Sequence, residues 1–106
     1  MSARSDAAVE EQPQAARPLL LFFRDPSSGP SRRVEGFLAQ VLQRRRNHDT
    51  FDLHRLDHDS DAELARRCGV ERVPALVVVE EKRVRARLEQ PRGCTEIQRT
   101  LAPWLR

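Results

Sequence analysis

Two serines flank a glycine and a proline in the stretch Ser28-Gly29-Pro30-Ser31, which precedes a segment with helical periodicity. Hydroxyls placed at the start of a helix accept hydrogen bonds from the free backbone N–H groups of its first turn. As a nucleophile in acyl transfer, either serine needs a histidine in contact and an orienting acid, and the sequence has no histidine near them. We therefore predict that both hydroxyls cap a helix and that neither serine is catalytic.

The sequence contains two cysteines, Cys68 and Cys94, whose spacing is that of neither a zinc motif nor a disulfide framework. Cys68 falls in the inward stripe of a short predicted helix, which indicates a core residue. Cys94 stands just before a predicted helix start, where backbone N–H groups favour a thiolate, so it is the candidate for a lone reactive thiol. The sequence does not decide whether the two cysteines form a disulfide, which requires Cα atoms about 6 Å apart.

A group of histidines and acids has the composition of a metal site, and its members are His54, His58, Asp52, Asp57 and Asp59. On a strand, the two histidines point to one face but lie far apart, unlike the helical pair that shares a zinc ion. A solvated strand end is the better interpretation. We predict no metal and no cofactor.

The charge balance argues against several classes of protein. The chain of 106 residues has 19 Lys and Arg against 16 Asp and Glu, a formal net charge of +3. Basic and acidic residues are interspersed and tyrosine is absent, so the sequence does not favour nucleic-acid binding. No apolar run is long enough for a transmembrane helix, and the first residues lack the apolar region of a secretory signal, so we expect neither membrane association nor secretion. A cytoplasmic location suits the two thiols.

Hydrophobic periodicity predicts one domain over residues 17–106, after a polar tail at 1–16 that we expect to be disordered. The predicted strands are 19–23, 51–57, 73–79 and 84–88, and the predicted helices are 30–46, 60–68 and one from about 95. Two details concern helix ends: Arg44, Arg45 and Arg46 occupy the last turn of the first helix, and Ser60 and Glu63 form a capping box for the second. Leu64 is expected to face inward, and Gly69 to end that helix.

The order of these elements is β-α-β-α-β-β-α, which predicts an α/β fold. Strands that alternate with helices form parallel pairs through right-handed crossovers, and the closing hairpin adds an antiparallel edge. We therefore expect a central mixed sheet of four strands, flanked by helices.

Two motifs in this order resemble the thioredoxin family over residues 18–105, without the family's usual first strand and helix. In the first, Phe23-x4-Ser28-Gly29-Pro30-Ser31 is similar to the aromatic-then-CGPC segment, with serine for each cysteine. In the second, Cys68-Gly69-Val70-x-x-Val73-Pro74-Ala75 is similar to the segment that carries the family's cis-proline. Two departures stand out: Phe22 occupies the position of the family's buried carboxylate, and Ser27 that of an aromatic residue.

The resemblance implies that Pro74 is cis and faces the serine turn across a peptide-binding groove, where Val73 offers its backbone groups to a partner's strand. It also implies that Gly93 is the groove glycine, which would bring Cys94 close to Ser28 and Pro74. The residues expected in the groove are Ser27, Ser28, Gly29, Pro30, Ser31, His58, Val73, Pro74 and Gly93.

Without both sulfurs, the site cannot carry out disulfide exchange, which needs an attacking thiolate and a second sulfur that resolves the mixed disulfide. The leading hypothesis is a non-catalytic thioredoxin-like module that binds a protein or peptide segment by β-augmentation, as a monomer or weak homodimer. The alternative is an enzyme with a single thiol, Cys94, aided by His58. Two other possibilities stay open. One is a purely structural subunit, and the other is an anion bound at the helix start by Ser28, Ser31, Arg32 and Arg33.

Overall fold

The computed structural model describes residues 17–106. The strands of this part of the chain are β1 (Leu19–Arg24), β2 (Asp52–Asp57), β3 (Ala75–Glu80) and β4 (Arg83–Glu89). Its α-helices are α1 (Gly29–Gln43), α2 (Ala62–Arg67) and α3 (Cys94–Leu101), and a 3₁₀ helix covers Arg44–Asp49. The predicted order of elements and the α/β fold are confirmed. None of the described helices has the length and apolar character needed to cross a membrane.

The strands form one mixed sheet in the order β2-β1-β3-β4. β1 is parallel to β2, and β3 is antiparallel to both β1 and β4. The register pairs Phe23 with Ala75, so the carboxyl end of β1 lies beside the start of β3. This pairing brings the serine turn that follows β1 close to Pro74, which directly precedes β3.

Alternating residues of the central strands β1 and β3 divide the core between the two faces of the sheet. Leu20 and Phe22 pack under α1 and α3, whereas Leu21 and Phe23 pack with Ala65 of α2. All four strand residues are buried, as expected of a strand covered on both faces. In this fold Phe22 is a fully buried core residue.

The three arginines after α1 do not lie in its last turn, which corrects the prediction. α1 ends at Gln43, and Arg45 and Arg46 have positive φ angles of 52° and 58°. The cause is Asn47, which is 2% exposed and whose Nδ2 donates to the Arg44 carbonyl at 2.6 Å. A buried amide that binds the chain in this way turns the backbone out of the helix.

The predicted capping box of α2 is also wrong. Asp61 is the N-cap residue, and it makes no side-chain capping bond. Its Oδ2 instead accepts from the Asp57 N–H at 3.0 Å, which fixes the turn after β2. Leu64 is 37% exposed and does not face inward, because α2 has only six residues and covers the sheet with Ala65. Gly69 has φ +78°, which confirms that it ends the helix.

The last helix packs Ile97 and Leu101, both fully buried, against the sheet. It ends before Pro103, and Trp104 then packs edge-on against Phe51 with ring centroids 6.2 Å apart. The prediction of a disordered tail at 1–16 lies outside the described residues.

Candidate functional site

The turn after β1 is fixed by hydrogen bonds to Asp25. The Asp25 carbonyl accepts from the Ser28 N–H at 3.0 Å, and its Oδ1 accepts from the Ser27 hydroxyl at 2.8 Å and the Ser27 N–H at 3.0 Å. These two donors, the hydroxyl first, lower the pKa of Asp25 below its ordinary value, and His58 adds a small effect in the same direction. The turn therefore carries a negative charge at neutral pH.

The hydroxyls of Ser28 and Ser31 have different partners. Ser28 is the N-cap of α1, with extended φ and ψ of −97° and 141°, and its Oγ accepts from the Ser31 N–H at 3.1 Å. The Ser31 Oγ accepts from the Asp25 N–H at 3.0 Å, and this side chain is 2% exposed. The prediction of a capping hydroxyl is confirmed for Ser28. It is wrong for Ser31, whose hydroxyl binds the preceding loop because it faces the protein interior.

Across from the turn, the chain enters β3 through Val73 and Pro74, which are joined by a cis peptide bond. The Pro74 carbonyl accepts from the Gln90 N–H at 2.7 Å, and the Gln90 amide side chain reaches the Val73 carbonyl at 3.4 Å. Within residues 17–106, no hydrogen bond uses the Val73 N–H. Val73 itself is half-buried.

A pocket of about 520 Å³ lies between these two segments. Four of its residues were expected: Ser28, Pro30, Val73 and Pro74. The residues that sequence reasoning missed as lining are Asp25, Arg33, Val34, Phe37, Gln90, Pro91 and Arg92. Helical spacing was the available signal for part of this set, since positions 30, 33, 34 and 37 share one face of α1. Nothing in the sequence brings residues 90–92 to the same place.

The other expected groove residues, Ser27, Gly29, Ser31, His58 and Gly93, lie outside this lining. His58 lines a smaller pocket of about 170 Å³ on the other side of Asp25, with Pro26 and Asp59 among its neighbours. Asp25 therefore separates two pockets, and His58 belongs to the one that Pro74 does not line.

Cys94 does not lie beside Ser28 and Pro74, because its thiol packs against the middle of α1. The sulfur is 3.1 Å from the Gln40 Oε1 and 3.7 Å from the Phe37 carbonyl oxygen. The thiol is half-buried and free. It can donate its hydrogen to either oxygen, and one of its two contacts, Phe37, also lines the pocket.

Cys68 and Cys94 belong to the cores on opposite faces of the sheet, so the disulfide that the sequence left open does not form. Burial raises the pKa of the Cys68 thiol, and the nearby Arg87 opposes this rise. As predicted, Cys68 is a core residue: it is 6% exposed.

The histidines and acids of β2 do not converge. His54 lies 3.4 Å from the Asp52 carboxylate, and no group of three or more His, Cys, Asp or Glu within residues 17–106 is placed to hold a metal ion. At the start of α1, the hydroxyls of Ser28 and Ser31 both accept hydrogen bonds from backbone N–H groups of the protein. Of the two arginines considered for an anion site there, Arg33 lines the pocket and Arg32 does not.

Comparisons with known proteins agree with this geometry. A sequence model of the thioredoxin family, described as Thioredoxin, matches residues 3–103. Trxlp from Edwardsiella tarda EIB202 is similar in structure, with a TM-score of 0.72 and 11% identity over 100% of this chain and 96% of that one. Desulfothioredoxin from Desulfovibrio vulgaris Hildenborough, in its reduced form, has a TM-score of 0.69 and 22% identity, and the match covers 82% of this chain and 81% of that one.

The oxidized form of mitochondrial thioredoxin 3 from Saccharomyces cerevisiae also has a TM-score of 0.69, with 14% identity over 92% of this chain and 84% of that one. A search of curated protein sequences found no match. At these identities the structural likeness establishes the fold, and the family model, which matches most of the chain, establishes descent. The chain belongs to the thioredoxin family.

Proposed function

We propose that this thioredoxin-family domain is a non-catalytic module that binds an extended protein or peptide segment in the 520 Å³ pocket. The observation that carries the proposal is that Val73 lines this pocket and that its N–H has no hydrogen-bond partner within residues 17–106. A buried or half-buried donor favours a partner, and an incoming peptide carbonyl supplies one.

We expect the bound segment to be extended, because it would pair with the backbone N–H and carbonyl of Val73. The Val73 carbonyl accepts only a long bond, 3.4 Å, from the Gln90 side chain, which a peptide N–H can displace. Pro30, Phe37 and Pro74 add apolar surface beside it. In β-augmentation the backbone bonds give affinity, and such side-chain contacts give selectivity.

The residues at the former dithiol position support the absence of disulfide exchange. A serine hydroxyl ionises far above neutral pH, and an oxygen cannot replace either sulfur of the exchange reaction. The Ser28 and Ser31 oxygens also accept hydrogen bonds that hold the turn together. Binding is therefore expected to be reversible and indifferent to reductant. The proposal includes a reducing compartment such as the cytosol, where both thiols stay free.

A random peptide library displayed on phage tests the proposal with a matched pair of blocked variants. Pro30→Trp places an indole on an exposed residue of the pocket, whereas Arg32→Trp makes the same change on an exposed residue outside it. Selected peptides are expected to bind the wild type and the Arg32→Trp protein alike. Their affinity for Pro30→Trp should fall about tenfold or more, a loss of about 1.4 kcal/mol.

Amide NMR spectra recorded with the selected peptides locate the binding site. The Val73 N–H resonance is expected to shift more than those of β2, an edge strand whose residues do not line the pocket. Failure of the library to yield a binder, or shifts that leave Val73 unchanged, overturns the proposal.

The alternative, an enzyme that acts through Cys94, is tested on the same protein. Insulin reduction with dithiothreitol should proceed at the uncatalysed rate for both the wild type and Cys94→Ser. Turnover that disappears in Cys94→Ser would replace the proposed binding module with a single-thiol enzyme.

A further inference from the structure

Two arginines of the pocket lack a counter-charge. Arg33 and Arg92 both line it and are exposed, and neither forms an ion pair with any residue in the 17–106 range. The Arg33 guanidinium folds back over the start of α1, since its Nη1 is 4.0 Å from the point where a Cβ of Gly29 would stand. A positive charge is therefore held beside the Ser28 end of the pocket.

The carboxylates near the pocket are already engaged by backbone N–H groups. Asp25 accepts from Ser27, as described above. Glu96 accepts from the Arg92 N–H at 2.6 Å, and Glu89 accepts from the Glu71 N–H at 2.6 Å. Each of these acids fixes a loop beside the pocket, and within residues 17–106 none of them forms an ion pair with Arg33 or Arg92. Among the residues that line the pocket, two arginines stand against one carboxylate, that of Asp25.

From this arrangement we infer that the segment bound in the groove is acidic, with Asp or Glu side chains beside Arg33 and Arg92. The inference rests on the proposed function, because it names the chemistry of the peptide that is proposed to pair with Val73. Each guanidinium offers several N–H donors in a fixed planar geometry, which suits a carboxylate. Complementary charge also speeds the encounter and disfavours basic competitors.

Three capped, fluorescein-labelled peptides test the inference by fluorescence anisotropy. Their sequences are Gly-Val-Glu-Glu-Glu-Val-Gly and the versions with three glutamines or three lysines. Consecutive charged residues point to both sides of an extended chain, so the probes do not presuppose which side faces the arginines. We expect the glutamate peptide to bind about fivefold tighter than the glutamine peptide, as two partly exposed charge pairs allow, and the lysine peptide to bind weakest.

Charge reversal on the protein supplies the matched control. Arg33→Glu and Arg92→Glu should each weaken binding of the glutamate peptide about fivefold more than binding of the glutamine peptide, and should remove part of its salt dependence. Arg32→Glu, next to Arg33 and exposed but outside the lining, should change the affinity less than twofold. Circular dichroism checks that each variant is folded.

The possible failures are separable. Equal affinity for the glutamate and glutamine peptides, or equal effects of Arg32→Glu and Arg33→Glu, overturns the acidic preference and leaves the proposed groove intact. If none of the three peptides binds the wild type, and the display library also yields no binder, the proposed function falls together with the inference.

Discussion

The two segments that face each other across the pocket differ in how their polar groups are used. In the serine turn, residues 25–31, the side chains of Asp25, Ser28 and Ser31 all accept hydrogen bonds from backbone N–H groups of the same turn. At the start of β3, the Val73 N–H has no partner among the described residues, and the Val73 carbonyl has only a long one. The polar groups of the serine turn thus find partners within the turn, whereas the backbone groups of Val73 are left largely unpaired among the described residues.

This difference indicates that the serine turn has a structural role. The serine oxygens stabilise the turn and the helix start, whereas the backbone of Val73 keeps the capacity to pair with another chain. Substitutions in the turn should therefore change the stability of the fold, and substitutions beside Val73 should change binding. Substitutions of Ser31, Ser28 and Ser27 test whether the turn is structural.

The largest effect is expected for Ser31→Ala. The Ser31 Oγ is 2% exposed and accepts from the Asp25 N–H at 3.0 Å, so its removal leaves a partly buried donor unsatisfied. We expect a loss of about 1–3 kcal/mol in the free energy of unfolding, measured by urea denaturation. Ser60→Ala, on an exposed serine outside the turn, is the control and should change stability by less than about 0.5 kcal/mol.

Peptide affinity should be the same for Ser31→Ala and the wild type, because Ser31 does not line the pocket. A variant of unchanged stability, or one that loses peptide binding while it stays folded, would contradict the division between the two segments.

Ser28→Ala is expected to have a smaller effect on stability. The Ser28 hydroxyl caps α1 through the Ser31 N–H, a bond on a half-buried residue where water can partly replace it. Loss of an N-cap costs about 1 kcal/mol. Ser28→Asp keeps an acceptor at the cap, so it should restore the midpoint of urea denaturation that Ser28→Ala lowers. If alanine and aspartate give the same midpoint, the hydroxyl does not cap the helix in solution.

The sequence predicts the fold well because its strongest signals are those of buried surface. The apolar run of β1 and the stripe along α1 determine which faces meet, and both were assigned correctly. The errors at the end of α1 and the start of α2 have another cause. Asn47 and Asp61 bind backbone groups of neighbouring turns, and a short polar residue gives no sign in the sequence of which backbone group it will bind.

The sequence predicted two of the three segments that line the pocket, those around Ser28 and Pro74, and did not predict residues 90–92. The motifs around Ser28 and Pro74 are local in sequence, so both segments were found. Residues 90–92 enter the pocket because β4 pairs with β3, and Arg92 reaches its position through the loop that Glu96 fixes. A contact made through strand register cannot be read from the spacing of residues along the chain. The contribution of Arg92 to the charge of the pocket was therefore visible only in the structure.

The smallest effect concerns the ionisation of Asp25. The Ser27 hydroxyl and N–H lower its pKa, so the folded state releases this proton at a lower pH than the unfolded chain does. Its contribution to stability is present above the unfolded pKa and is lost as the pH falls through the folded pKa. Ser27→Ala removes the hydroxyl and keeps the N–H, so the Asp25 pKa should rise part of the way toward its ordinary value in a carbon-13 NMR titration. Ser60→Ala should leave it unchanged, and an equal pKa in Ser27→Ala and the wild type would mean that the turn is not held by Asp25 in solution.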